Sequence, residues 1–293
     1  RRGMSNLLLY VVTVLVWGST WLAIEYQLGV VEPDVSIFYR YVIASSTIFI
    51  WCKYKRLSLV FNLKYHLWFA ALGGFLFCLN YMLTYRAQVH ITSALAAIIF
   101  SSMLWMNIGL ARVIFGVRST GRVIVGAIFG VTGIVVIFAP EVEAVTLHDG
   151  IFFGMVLALG GAFSASCGNM VSQGAQKRAL PVVQSNAWGM FYGALFTGIV
   201  ALVSGHEFNF DGTFTYIASL AYLAIFGSVI AFGAYLTLLG RIGAHKAGYA
   251  TVMFPVVALM LSAVFEGLRL DASILGGTTL VLLGNLLVLT RSD

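Results

Sequence analysis

Charge is what this chain lacks. Only 10% of its 293 residues are Asp, Glu, Lys or Arg, against about a quarter in a soluble domain, and that deficit excludes a water-facing globule. Cysteine is scarce too: Cys52, Cys78 and Cys167 all fall within or at the edge of apolar runs, which argues against a disulfide framework. No Asp or Glu lies deep in an apolar run, and the five histidines (His66, His90, His148, His206, His245) fall in loops or at run edges. No Lys is found deep in a run, as a retinal-type receptor or pump would need. A nucleotide-binding glycine–lysine loop is missing. The runs hold no Ser/His, paired-Asp or His-x-x-x-His arrangement, so intramembrane hydrolysis and metal chemistry have no residues to work with. The reading is therefore no enzyme, no metal and no cofactor.

Apolar length is what the chain has. Hydrophobic residues make up 60% of it, gathered into ten runs at roughly 6–25, 35–52, 67–85, 92–111, 119–139, 150–173, 181–204, 214–239, 247–265 and 273–290. A bilayer-crossing helix needs about 17–25 such residues, and the runs are too long and too uniformly apolar for barrel strands. The fold class is all-α: a polytopic membrane protein of ten transmembrane helices, with gaps too short for an extramembrane domain. The first run is expected to act as its own insertion signal. With the N-terminus cytoplasmic, the inner side collects 14 of the 17 basic residues, the exceptions being Arg40, Arg86 and Arg269, while the outer side collects 10 of the 11 acidic ones. That segregation puts both termini in the cytoplasm. The net charge of +6 then faces anionic lipid heads, not nucleic acid.

Internal repetition organises the ten runs. At a shift of 151 residues Gly116 meets Gly267, Arg118 meets Arg269, Gly126 meets Gly277 and Gly133 meets Gly284. Two repeats of five spans follow, residues 5–140 and 148–290, joined by "APEVEAVTLHDG". Five is odd, so the second copy is inverted, an arrangement typical of carriers with a site near the midplane. Gene duplication also yields membrane proteins that transport nothing, and that alternative stays open.

Depth selects candidate site residues. Counting 1.5 Å per residue centres span 1 near Trp17-Gly18-Ser19, span 4 near Ser101-Ser102-Met103, span 6 near Phe163-Ser164, span 8 near Gly227-Ser228 and span 9 near Pro255. Small, hydroxyl and helix-loosening residues at one depth make sense where they line a cavity, because hydrocarbon tolerates freed backbone groups nowhere else. Trp17 and Trp21 share a helical face; Trp17 either walls the cavity or packs between helices. Asn80, Tyr81 and Tyr85 on span 3, Trp105 on span 4 and Tyr249 on span 9 could complete a large aromatic, weakly polar chamber, suited to organic solutes and not to bare ions. Arg40, about a third of the way into span 2, could attract a carboxylate, pair with Glu25, or bond backbone carbonyls. The glycines of spans 5 and 10 (126, 130, 133, 276, 277, 284) read as close helix contacts, and these spans as scaffold.

The ordered set "WGSTW", "FYRY" at 38–41, "YRAQVHITSALAAII" from 85, and "FPVVA" followed by "VFEGLRLDASILGG" resembles the ten-helix drug/metabolite transporters built from two EamA repeats, and within them the amino-acid exporters. The resemblance covers nearly the whole chain. It implies a basket with a central cavity lined by spans 1–4 and 6–9, with spans 5 and 10 as support, and places Trp17, Ser102 and Pro255 at the cavity. It also implies a bacterial inner-membrane exporter of small organic solutes, amino acids with aromatic or hydrophobic side chains first. Nucleosides, sugars, drugs or cations remain alternatives, as does proton antiport. The chain is expected as a monomer or homodimer. Repeat 1 departs from the pattern: Ser102 stands where repeat 2 has Pro255, and Phe115 where it has Glu266. With no carboxylate or imidazole in the pathway, the expected mechanism is facilitated or weakly coupled export by alternating access.

Overall fold

The structure, a computed structural model, describes residues 4–143, 149–265 and 271–289. Arg1, Arg2, Glu266, Gly267, Arg269, Arg291 and the middle of the predicted linker, 144–148, lie outside them. The chain is built from α1 (Asn6–Glu25), α2 (Pro33–Tyr54), α3 (Leu63–Leu72), α4 (Asn80–His90), α5 (Ser93–Phe100), α6 (Met103–Phe115), α7 (Gly121–Glu143) and α8 (Asp149–Lys177). There follow α9 (Val182–Val203), α10 (Phe214–Ala224), α11 (Ala231–Ile242), α12 (Ala244–Ala247), α13 (Ala250–Phe265) and α14 (Ala272–Leu289). No strand occurs among the described residues. Among the described residues, eight continuous helical stretches are long and apolar enough to cross a membrane, and shorter apolar helices run over Gly121–Ile137 and Ala250–Phe265. This is a multi-pass, all-α membrane protein.

Local chemistry sets the boundaries. Ser5, Thr92 and Thr213 accept from the backbone N–H of Leu8, Leu95 and Tyr216, each satisfying one donor that a helix start leaves free. Pro33 opens α2, where its missing N–H costs nothing. Gly116, at φ +66°, closes α6 in the left-handed conformation that glycine adopts freely.

Two predicted spans are stacks and not single α-helices. Span 3 joins α3 to α4 through a π-helical turn, Gly73–Leu79, and span 8 joins α10 to α11 through another, Ile225–Ile230. Span 4 breaks at Ser101–Ser102, as its small residues suggested, but in the C-terminal half the break falls at Gly248–Tyr249, ahead of span 9. Pro255 sits inside a continuous helix, so Ser102 and Pro255 are not matching hinges.

Packing gives each helix a place. α7 pairs with α14, α2 with α9, α8 with α4–α6 and the first π turn, and α1 with α10–α11, the second π turn and α13. Leu7, Leu15, Leu22, Phe152, Leu202 and Phe214 are exposed on the outside, the surface that acyl chains cover. Apolar burial supplies little drive between helices in lipid, so close backbone approach matters more. A Cβ built at Gly133 would lie 2.5 Å from the Gly277 carbonyl, and one at Gly126 would lie 2.8 Å from the Gly284 carbonyl. Gly276, by contrast, faces open space and is not part of the seam.

Gly133→Val therefore wedges α7 from α14 and is expected to lower stability by roughly 1–3 kcal/mol, while Gly276→Ala changes little. Thermal unfolding of the two variants in detergent checks the difference.

Candidate functional site

Six spans converge on one interior cavity with a volume of about 40 Å³. α1 supplies Trp17, Thr20, Trp21 and Ile24, positions that recur every three or four residues and so share a face. Span 3 adds Leu76, Asn80, Tyr81 and Thr84; α5 and α6 add Phe100 and Met103; α8 adds Ala165 and Asn169; α11 adds Phe232 and Tyr235; α13 adds Phe254. Seven of these fifteen residues are aromatic, and none is Asp, Glu, His, Lys or Arg. The wall is made of ring edges and faces. Trp17 stands at its centre, 4.6 Å from Phe232, 5.0 Å from Tyr235 and 5.8 Å from Phe254 between ring centroids. Toward the end where α1 finishes, Trp21 meets Phe100 edge-on at 5.2 Å.

The cavity floor, toward the end that carries most of the Lys and Arg, is hydrogen-bonded. Asn107 Nδ2 donates to the Ala244 carbonyl at 3.0 Å, and Asn107 Oδ1 accepts from Ser166 Oγ at 2.6 Å and Asn169 Nδ2 at 3.3 Å. Asn169 Nδ2 also reaches the Tyr235 hydroxyl at 2.9 Å, and Gln173 Oε1 accepts from Ala244 N–H at 3.1 Å. Nearby His245 is held below the ordinary imidazole range by burial first and Lys246 second.

The two π turns sit beside the cavity and explain several polar side chains. A π turn adds a residue to the α ladder, so one carbonyl loses its usual donor. In span 8 the Ala231 N–H reaches Phe226 and Ser228 and passes over Gly227. The Gly227 carbonyl instead accepts from Trp17 Nε1 at 2.9 Å and from an Arg40 Nη at 3.2 Å. In span 3 the Asn80 N–H reaches Phe75, and the Leu76 carbonyl accepts Asn80 Nδ2 at 3.1 Å. Ser164 Oγ binds the Phe75 carbonyl at 2.6 Å.

Of the residues predicted from sequence, Trp17, Asn80 and Tyr81 lie on the cavity wall. Arg40 does not; it is buried behind Tyr81, its guanidinium carbon 4.3 Å from that ring, bonding Ser228 Oγ at 2.8 Å and the Tyr85 hydroxyl at 3.4 Å. Of the three roles open to it, carbonyl bonding is the one seen; Glu25 is bound by Gln88 instead. Arg86, the other misplaced cation among the described residues, pairs with buried Asp34 at 2.8 Å, and His206 Nδ1 lies 3.0 Å from the same carboxylate. Tyr85 is fully buried as the acceptor from Arg40.

Six predicted site residues lie elsewhere. Phe163 is 52% exposed on the outside of α8, about 100° of helix rotation per residue away from Ser164 and about 200° from Ala165. Ser19 bonds the Val16 carbonyl and the Tyr222 hydroxyl, on the α10 side. Ser102 Oγ is buried without a partner, and Ser102 is not on the wall. Trp105 packs on the scaffold cluster with Leu104, Ala127 and Ile134. Tyr249 belongs to that cluster too: its hydroxyl donates to the Val281 carbonyl at 2.7 Å, over the Cα atoms of Gly130 and Gly284. Pro255 is buried in α13 one residue past Phe254, the residue that does reach the wall. Spans 2 and 7, expected in the lining, pack on each other and contribute none of it. Thr20, Phe100, Phe232, Tyr235 and Asn169 were missed. For Asn169, an amide within an apolar run was the available signal.

With this geometry in hand the comparisons with known proteins are decisive at the level of family. The EamA-like transporter family matches residues 4–139 and again residues 152–290. The chain belongs to that family. EamA-like proteins form part of the drug/metabolite transporter superfamily, and the chain is accordingly a membrane transporter. It is 25% identical over 287 residues to an Escherichia coli K12 protein named probable amino-acid metabolite efflux pump, covering 94% of this chain and 92% of that one. It is 24% identical over 290 residues to the uncharacterized transporter YoaV of Bacillus subtilis 168, covering 97% and 94%. A crystal structure at 16% identity superposes with a TM-score of 0.80, covering 97% of this chain and 96% of that one, a likeness of fold alone.

Two expectations follow for this EamA transporter. Arg40→Met removes a charge-assisted bond to a buried carbonyl, worth about 1.5–3 kcal/mol, and is expected to lower the thermal midpoint. Unchanged stability with lost transport would instead mean that Arg40 acts on the solute. Because Trp17 and Trp21 wall the cavity, ligand entry is expected to change intrinsic fluorescence, and the double variant Trp17→Phe, Trp21→Phe to lose most of that signal.

Proposed function

We propose that this transporter exports amino acids, or metabolites derived from them, across the bacterial inner membrane by alternating access, with both termini cytoplasmic. The observation that carries the reading is the cavity itself: set among six spans, walled by aromatic rings, and dotted with neutral polar groups. Such a chamber suits a small organic solute with an apolar side chain. The naming of two relatives, from Escherichia coli and Salmonella typhimurium, as probable amino-acid metabolite efflux pumps supports the same substrate class.

Alternating access needs two halves of opposite orientation, and the π turns support that division. The passed-over carbonyls, Leu76 and Gly227, differ by 151 residues, the same shift at which the glycines of the two halves coincide. The packing partners also exchange under that shift: span 3 lies on span 6 as span 8 lies on span 1, while spans 2 and 7, and spans 5 and 10, pair with each other. Residues 5–140 and 148–290 are read here as the two inverted repeats. The transport step is facilitated, since the lining offers no carboxylate or imidazole to carry a coupled proton.

Counterflow in proteoliposomes of purified protein tests the proposal against a panel of labelled amino acids, a nucleoside and a cationic dye. Exchange of aromatic and aliphatic amino acids without any ion gradient is expected. Exchange of the nucleoside or dye alone would overturn the substrate class, and strict dependence on an imposed pH gradient would overturn the facilitated mechanism.

A further inference from the structure

The floor of the cavity holds an acceptor that the protein itself does not use. Asn107 Nδ2 faces the Ala244 carbonyl, which can only accept, so the Asn107 amide is fixed with its oxygen toward α8. That oxygen takes hydrogen bonds from Ser166 and from Asn169, so the Asn169 side chain must turn its nitrogen to it. The Tyr235 hydroxyl, 2.9 Å from the same nitrogen, holds it from a second direction. One atom is left over. Asn169 Oδ1 is fully buried, belongs to a side chain on the cavity wall, and has no hydrogen-bond partner.

Buried acceptors are nearly always satisfied, and an exception calls for an explanation. We infer that Asn169 Oδ1 is the subsite for the ammonium group of the solute, which donates an N–H to it while lying near the rings of Trp17 and Tyr235. Those rings pack on each other with centroids 5.0 Å apart, and aromatic side chains attract a cation without requiring a buried carboxylate. A carboxylate at the floor would hold the ammonium too tightly for release; a neutral amide selects the N–H and lets it go. The inference deepens the amino-acid reading and rests on it for the identity of the solute, though the acceptor itself selects any protonated primary amine of fitting size.

The test is binding to full-length protein in nanodiscs, by titration calorimetry, with two ligand pairs. Phenylalanine against 3-phenylpropionate asks for the amine; phenethylamine against its trimethylammonium derivative keeps the cation and removes the N–H. Wild-type protein is expected to favour the N–H-bearing member of each pair by about tenfold or more. Asn169→Leu is expected to erase the preference, and Asn169→Ala, run in parallel as the smaller change, to do the same. Asn169→Asp keeps an acceptor and is expected to retain or enlarge it. A folded Leu or Ala variant that still discriminates overturns the inference, as does wild-type protein that binds neither pair or fails to discriminate. Binding confined to the phenethylamine pair, with the preference lost on Asn169→Leu, would sink the amino-acid reading and leave the subsite standing.

Discussion

A helix that loosens its own ladder inside hydrocarbon must find another donor for every carbonyl it frees, because no water is there to take its place. In span 8 the freed carbonyl is Gly227, and its donors are Trp17 and Arg40. Much of the site depends on this one requirement. It fixes the indole of Trp17 with its N–H edge toward the π turn of span 8, and so fixes the aromatic wall that Phe232, Tyr235 and Phe254 complete. It gives a buried guanidinium a reason to exist where no carboxylate pairs with it among its described contacts, and Ser228 and Tyr85 satisfy the rest of that group. Glycine at 227 suits the crowding: a Cβ there would stand 3.0 Å from a Thr20 methyl and 3.4 Å from Arg40.

Span 3 meets the same requirement by a different route. Its passed-over carbonyl, Leu76, is taken by the side chain of Asn80 one turn on, within the same helix. The two π turns are thus tied differently. The second is anchored across the molecule to α1 and α2, and the first mostly to itself, with Ser164 adding one bond to Phe75. A turn capped from within its own helix can move with that helix; one held by two other helices moves only if those bonds break or those helices follow. On the carrier reading, span 3 is therefore the freer half of the pair.

What the sequence made legible was depth and type; what it hid was direction around each helix. Uncharged runs and the Lys and Arg between them indicated a multi-pass helical protein, and the glycines of spans 5 and 10 pointed to the tight seam that Gly126, Gly133, Gly277 and Gly284 form. Trp17 and Trp21 declared a shared face by spacing, and both reach the cavity. Phe163, Trp105 and Tyr249 stood at suitable depths and still missed it, because depth along the axis says nothing of azimuth. On α8 the residues that count are Ala165 and Asn169, a turn apart, while Phe163 turns to the outside. Tyr249 shows a second limit: an aromatic with a polar tip serves a glycine seam as readily as a cavity, and the backbone carbonyl of Val281 that claims its hydroxyl cannot be foreseen from spacing.

The two ends of the cavity differ in the kind of force that closes them. At the floor, Asn107, Ser166, Asn169, Tyr235 and Ala244 form a chain of hydrogen bonds in which each amide orientation dictates the next. Such bonds are directional and, away from water, expensive to leave unmade. At the other end the closest approach of rings is Trp21 on Phe100, where edge-to-face contact tolerates sliding at a cost of about 0.5–1.5 kcal/mol. Opening the floor therefore demands replacement partners for several polar groups at once, whereas at the Trp21 end the polar tie is that of one side chain, Gln88, to the Trp21 carbonyl and Glu25. A solute amine that engages Asn169 Oδ1 supplies one such partner at the place where the network would have to loosen, so occupancy and opening of the floor become coupled through the same amide.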